Sequence, residues 1–263
     1  MEPLPGHPAR RADEHGEGPG VTAEGLAARA RGFRALHTGR PAGDPLVLPG
    51  AWDAASAHVF EEAGFPGLAT PSAGVSQSLG YADGSCPPGE MFAAVARIVR
   101  AVDIPVTADI ERGYGLPPAE LVARLLETGA VGCNLEDTGA DGRLLPAGRQ
   151  AEWLAEVRAA EPSVPFFLNA RVDSYLRGAP DPLADALERG RRYVAAGADG
   201  VYPLGAPPAD VRVLAAELGV PVNGLSRAGR EPTPAALGAA GAARVTFGGT
   251  LAAETYASLA HLL

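Results

Sequence analysis

Ala195-Ala196-Gly197-Ala198-Asp199-Gly200-Val201-Tyr202 is the stretch that decides the architecture, because its grammar recurs along the chain. Glu61-Glu62-Ala63-Gly64 precedes Gly67-Leu68-Ala69-Thr70, and Glu127-Thr128-Gly129-Ala130 precedes Gly132-Cys133-Asn134-Leu135. Ala239-Ala240-Gly241-Ala242 precedes Arg244-Val245-Thr246-Phe247. Each reads as a helix end, a glycine able to take the left-handed conformation just past it, and a short apolar strand. Between these units lie Asp103-Ile104-Pro105-Val106-Thr107-Ala108, Val164-Pro165-Phe166-Phe167-Leu168 and Val220-Pro221-Val222, each with proline at a strand entry. Proline is tolerated there because it need not donate to the ladder. With Leu46-Val47-Leu48 as the first, the strands number eight. Helical stretches at Met91–Val102, Pro118–Thr128, Gln150–Ala160 and Leu183–Ala196 separate them.

Strands alternating with helices imply parallel βαβ units, and eight of them fit a closed (β/α)8 TIM-type barrel, parallel and eight-stranded. The competing open, doubly wound sheet lacks its Gly-x-Gly-x-x-Gly signature at the first helix, which follows Pro49-Gly50-Ala51-Trp52-Asp53. Residues 1–22, polar and rich in proline and glycine, are expected to be a disordered tail, and 23–263 a single catalytic barrel.

Composition narrows the function. Of 263 residues 46% are hydrophobic and 20% charged, as in soluble globular proteins. A formal net charge of −9 repels a phosphate backbone, so nucleic acid is not an expected partner. No apolar run reaches the ~20 residues of a membrane span. Two cysteines, Cys86 and Cys133, fit a reduced, cytoplasmic protein. A homo-oligomer is an expected assembly.

In such barrels the active site lies at the C-terminal ends of the strands. The third strand ends in Asp109-Ile110-Glu111-Arg112-Gly113-Tyr114-Gly115, the fourth in Asn134-Leu135-Glu136-Asp137, the fifth in Asn169-Ala170-Arg171-Val172-Asp173. Alternation sets Asp109 and Glu111 to one side and Ile110 to the other. Carboxylates from neighbouring strands would repel one another, and a hard divalent cation relieves this. Mg2+ is the expected ion, with Mn2+ the alternative, and Asp109, Glu111 and Glu136 are its expected ligands. Arg171 can grip a substrate carboxylate in a bidentate fork. Asn169, Tyr202 and Asn223, closing the fifth to seventh strands, are candidate neutral donors in the pocket.

At these residues the chain resembles the isocitrate lyase/phosphoenolpyruvate mutase superfamily. The family's metal loop, approximately Asp-x-Asp-x-Gly-Tyr-Gly, stands here as Asp109 to Gly115. Pro49-Gly50-Ala51-Trp52-Asp53-Ala54-Ala55-Ser56-Ala57, Ser78-Leu79-Gly80-Tyr81-Ala82-Asp83, Leu135-Glu136-Asp137 and Ala170-Arg171-Val172-Asp173 match in order. The resemblance implies a Mg2+-dependent enzyme that makes or breaks a C–C or P–C bond beside a 2-oxo acid or enolate. It implies Asp109 as direct metal ligand, with Glu111 and Glu136 acting directly or through water. It further implies Asp83 in the metal's water shell, Arg171 balancing enolate charge, and Trp52 and Asp53 at the substrate. Ser72 and Ala73 would offer backbone N–H groups to the substrate carboxylate.

Three departures bear on the reaction. Thr138-Gly139-Ala140-Asp141-Gly142-Arg143-Leu144-Leu145-Pro146 replaces the lyase lid and its Cys, and is shorter than the mutase lid. Glu111 stands where the family usually has Asp. After the last strand a single helix, Thr250–Leu263, leaves no further helix for a subunit-swapped assembly. Tyr114, in the metal loop, is the candidate for the missing acid/base, with a packing role as its alternative. The leading expectation is C–C cleavage by a lyase- or hydrolase-like enzyme, ahead of P–C chemistry on phosphoenolpyruvate or phosphonopyruvate. A phosphate-binding barrel using Gly248-Gly249-Thr250 and a non-catalytic acid-binding barrel are the rivals from other classes.

Overall fold

The computed structural model describes residues 22–41 and 43–261. The tail expected over 1–22 therefore lies outside the described residues except for Thr22, whose hydroxyl caps the first helix by accepting from Gly25 N at 3.1 Å. In chain order the elements are α1 (Ala23–Ala35), β1 (Leu46–Val47), α2 (Ala54–Glu62), β2 (Leu68–Thr70), α3 (Ser72–Ser78) and α4 (Pro88–Ala101). They continue with β3 (Val106–Asp109), a 3-10 turn at Gly113–Gly115, α5 (Pro118–Glu127), β4 (Gly132–Glu136), α6 (Ala147–Ala159) and β5 (Phe167–Val172). The last are α7 (Pro182–Ala195), β6 (Gly200–Pro203), α8 (Pro208–Leu218), β7 (Asn223–Leu225), α9 (Pro234–Ala239), β8 (Arg244–Thr246) and α10 (Thr250–Leu259).

The eight parallel strands form two hydrogen-bonded ladders, β2-β3-β4-β5-β6 and β1-β8-β7. Isolated parallel bridges, Gly50 to Ala69 and Val201 to Val222, join the ladders at two seams and complete the circuit of the parallel (β/α)8 barrel. The helices end as their sequences dictate. Proline occupies the first turn of α4, α5, α7, α8 and α9, where its missing N–H has no intrahelical partner to lose. Asp53 caps α2 through a reciprocal box with Ser56. The left-handed glycines of the recurring units, Gly64, Gly129, Gly197 and Gly241, all have positive φ.

The N-terminal end of the barrel is stoppered by α1. Its Leu26, Ala30 and Phe33 pack with Leu46, Leu48, Val131, Val164 and Phe167. Burying Phe33 fully contributes about 1.5–3 kcal/mol. His37 continues this plug, its ring stacked on Phe167 at 4.0 Å and its Nδ1 on Phe33 O at 2.9 Å. Burial, with the nearby charge of Arg244, lowers its pKa to about 3, so it packs as a neutral ring. The last helix is shorter than read from sequence, capped at Ala260.

Gly132 leaves no room for a side chain between β4 and its two neighbouring strands. A Cβ there would stand 2.8 Å from the Phe167 carbonyl oxygen and 3.0 Å from Thr107 Oγ1. Both neighbours belong to paired strands and cannot retreat. Gly132→Ala is expected to destabilise the fold by about 1–3 kcal/mol, read from urea unfolding midpoints; an unchanged midpoint would show that the strands yield.

Candidate active site

Asp109 ends β3, and the chain then turns sharply. Ile110 goes into the core, fully buried. Glu111 and Tyr114 are the only non-glycine residues with positive φ among the described residues, at 52° and 56°. A left-handed side-chain-bearing residue costs about 1–2 kcal/mol, and such strain clusters at functional sites. Gly113 makes the turn possible, since a Cβ there would meet Leu121 and Trp153 at 2.9 Å. The turn aims the Glu111 carboxyl inward, where its Oε1 is buried and has no hydrogen-bond partner.

Two adjoining cavities open at this end of the barrel. One, of about 250 Å³, is lined by Ser72, Ala73, Asp109, Asn134, Arg171 and the Phe247–Thr250 turn, among others. The second, of about 280 Å³, is lined by Asp83, Glu111, Glu136, Thr138 and Arg171, among others. Ser72 and Arg171 belong to both walls. Ser72 opens α3, a helix absent from the sequence reading, and its hydroxyl donates to Asp109 Oδ2 at 3.0 Å. The Glu111 N–H donates to Asp109 Oδ1 at 3.3 Å.

Arg171 is fully engaged on its long edge. Its Nε and Nη2 donate to Asp173 Oδ1 and Oδ2 at 2.7 and 3.2 Å, and its Nη1 pairs with Glu136 Oε2 at 2.7 Å. Asp173 already occupies the Nε–Nη2 edge, so the bidentate grip on a substrate carboxylate expected from sequence would have to come from the Nη end of the group. Only the remaining Nη hydrogens are free to meet a ligand. Asp173 is itself fixed, accepting from Thr138 Oγ1 at 2.6 Å while its N–H donates to Asp137 Oδ1 at 2.9 Å. Asp137 in turn accepts from Tyr193 Oη at 2.8 Å and Arg189 Nη1 at 3.2 Å. Asp137 and Asp173 have no solvent exposure. The segment after Asp137 closes into a short hairpin through a Thr138 to Leu144 bridge.

Negative charge crowds this rim. Burial, then the nearby Asp109 and Asp83, raise the pKa of Glu111 to about 7. Burial raises Glu136 to about 8 despite the Arg171 contact. Asp109 is likewise raised by burial. Burial opposes the charge of Arg171, yet Glu136, Asp109 and Asp173 around it raise its pKa above the ordinary arginine value.

Several expected site residues lie elsewhere. Among the described residues no three acidic, histidine or cysteine side chains converge to hold a metal by themselves. Glu136 is turned to Arg171, so of the two ways expected for it, directly or through water, its place favours water. Trp52 packs edge-on against Phe60 and Tyr256 in the outer layer, and Asp53 is consumed by the α2 cap; neither lines the two cavities. Asn169 and Asn223 lie below the cavities, donating to Asn134 Oδ1 and Thr246 Oγ1 at 2.9 Å. Tyr114 packs against Phe92, and its buried hydroxyl reaches neither cavity. Burial and Glu111 push its pKa far up, so the packing alternative describes it better than an acid/base role. Cys86 is buried against the core. Residues the sequence reading passed over are Asn134, Leu176 and Arg227 in the first cavity, and Arg244 beneath it.

The family described as phosphoenolpyruvate phosphomutase matches residues 33–263. The chain belongs to that family. As the motifs implied, its relatives span the wider isocitrate lyase superfamily. This phosphomutase-family chain is 37% identical over 207 residues to an uncharacterised protein of Mycobacterium tuberculosis (strain ATCC 25618 / H37Rv), covering 78% of each chain. It is 30% identical over 182 residues to the 2-methylisocitrate lyase of Bacillus subtilis (strain 168), covering 65% of this chain and 58% of the lyase. A structure from Burkholderia cenocepacia J2315, provisionally named a phosphonomutase, superposes with a TM-score of 0.83 at 40% identity, covering 89% of this chain and 98% of its own. No helix among the described residues is long and apolar enough to cross a membrane.

The raised carboxyl pKa values fix a sign. The folded protein holds protons on Glu111 and Glu136 that the unfolded chain releases near pH 4.5. The stability this lends is present at low pH and is lost as pH rises through about 7 and 8. His37, lowered to about 3, acts in the opposite sense only below its ordinary 6.5. In EDTA the thermal midpoint is therefore expected to fall as the pH is raised from about 6.5, where the His37 contribution ends, to about 8, and to level off above it. Glu136→Gln should flatten that slope; an equally steep slope in the variant would assign it to other groups.

Proposed function

We propose that this protein is a Mg2+-dependent enzyme that cleaves or forms a C–C bond next to the carbonyl of a small 2-oxo acid, through an enolate. The observation that carries this reading is the Asp109 carboxylate, hydrogen-bonded by Ser72 and set with Arg171 on the wall of one small cavity. The donor set suits the ion. Mg2+ takes one or two carboxylates and keeps most of its waters, and the partnerless, buried Glu111 Oε1 is an acceptor waiting for such a hydrated cation. Asp109 would hold it directly; Glu111, Asp83 and Glu136 would act through its waters. When bound, the ion supplies Lewis-acid polarisation of the substrate oxygens.

The chain's own residues do the rest. The first amides of α3, at Ser72 and Ala73, have no N-cap side chain over them and face the substrate carboxylate, the Ser72 N–H being shared with Asp109. Arg171, charged and immobilised by Asp173, stabilises negative charge developing on the substrate without reorganising. Leu176, Leu204, Leu225 and Phe247 give the same cavity apolar walls that exclude water from the enolate. Cleavage of the P–C bond of a phosphonopyruvate is the second reading, supported by the provisional name of the Burkholderia structure.

Oxalate, a planar enolate mimic, is expected to bind only in the presence of Mg2+, read by titration calorimetry. Asp109→Ala should abolish that binding and lower turnover of the best member of a panel of 2-oxo acids, 2-hydroxy acids and phosphonopyruvate by at least about a hundredfold, with the fold intact by circular dichroism. Unchanged turnover in Asp109→Ala would sink the metal assignment.

A further inference from the structure

Arg244 is the largest fully buried side chain among the described residues, 1% exposed, at the start of β8. No carboxylate pairs with it among the described residues, and its Nε and Nη1 have no hydrogen-bond partner. Burial lowers its pKa only to about 10, so it stays a cation at neutral pH. A buried guanidinium with no directly paired counter-ion is costly by several kcal/mol, and here only the more distant charge of Asp109 offsets part of that cost. The one hydrogen bond of its side chain among the described residues crosses the barrel interior, from Nη2 to Asn134 Oδ1 at 3.4 Å.

That contact settles which way Asn134 points. A guanidinium has donors only, so it accepts nothing from an amide N–H and must face the amide oxygen. Asn169 Nδ2 donates to the same Asn134 Oδ1 at 2.9 Å. Two donors from below thus hold the oxygen down. Asn134 lines the substrate-sized cavity together with Asp109, its in-register partner on β3. Its Nδ2 has no protein acceptor among the described residues, is not sealed from solvent, and is left for the cavity.

We propose that Asn134 is a substrate-contacting residue whose Nδ2–H donates to the 2-oxo oxygen of the bound acid, with Arg244 as the positioning residue that acts through Asn134 Oδ1. The cation polarises the amide from beneath, and chained hydrogen bonds strengthen one another in a low dielectric. The donor is therefore strongest when that oxygen carries enolate charge. Arg244 thereby lends its charge to the substrate oxygen without touching it. This rests on the proposed 2-oxo acid reading and names the group that receives the oxo oxygen.

The test is oxalate affinity in excess Mg2+, measured by calorimetry. Asn134→Asp keeps an oxygen toward Asn169 and Arg244, so the fold is retained, but replaces the upward donor with an acceptor. It should weaken oxalate binding at least about a hundredfold, and Asn134→Ala about ten- to a hundredfold. Arg244→Met should weaken binding in the wild-type background and add nothing in Asn134→Ala, whereas a merely structural role gives additive losses. In the wild-type protein, the side-chain amide proton pair that disappears from the NMR spectrum of Asn134→Asp should shift on oxalate addition. Unchanged affinity in Asn134→Asp, or an amide pair indifferent to oxalate, overturns this inference while leaving the 2-oxo acid reading in place. Failure of the wild-type protein to bind oxalate with Mg2+ overturns both.

Discussion

The site depends on how one buried cation, Arg171, is shared. Asp173 takes its long edge and Glu136 its Nη1. Removing one partner from a buried, hydrogen-bonded charge cluster strands the others, at a cost of about 3–5 kcal/mol. The chain therefore surrounds Asp173 with Thr138 and the Asp137 carboxylate, and satisfies Asp137 with Tyr193 and Arg189. This chain of contacts runs from β5 through the ends of β4 to α7. It fixes the height of Arg171 at the rim, and with it the distance to everything a ligand would touch.

The barrel was legible because its signals are local. A glycine past a helix end or a proline at a strand entry has its meaning within a few residues, and those features repeat around the barrel. The α1 plug was not, because nothing near Phe33 announces that it will pack against Phe167 from β5. Helix α3 was missed for a related reason. Its sequence, Ser72-Ala73-Gly74-Val75-Ser76-Gln77-Ser78, is weakly helical, and is held as a helix by its place between the barrel mouth and α10.

The site divides along the same line. Asp109, Glu111, Glu136 and Arg171 could be placed at one rim, because strand ends in a parallel barrel share an edge. The direction of each side chain depends on partners far away in sequence. Asp53 looks like a ligand in its motif but closes a capping box with Ser56. Asn134 stood at the end of the fourth strand with no role of its own, and only the opposing Arg244, 110 positions away, gives its amide an orientation. Motif order therefore finds the neighbourhood, and long-range hydrogen bonds assign the roles within it.

The two left-handed residues show why the rim has the shape it does. An extended continuation of β3 would carry Glu111 on past the cavity mouth. Bending at Glu111 itself lets Ile110 anchor in the core while the carboxyl turns back beside Asp109. The cost, about 1–2 kcal/mol for each such residue, is offset by packing of Ile110 and of the Tyr114 ring against Phe92. Strain, carboxyl crowding and an unpartnered buried oxygen thus fall on one residue. A folded chain keeps such a combination only where the surrounding structure over-determines it, and here the core does so from one side while the cavity makes use of it from the other.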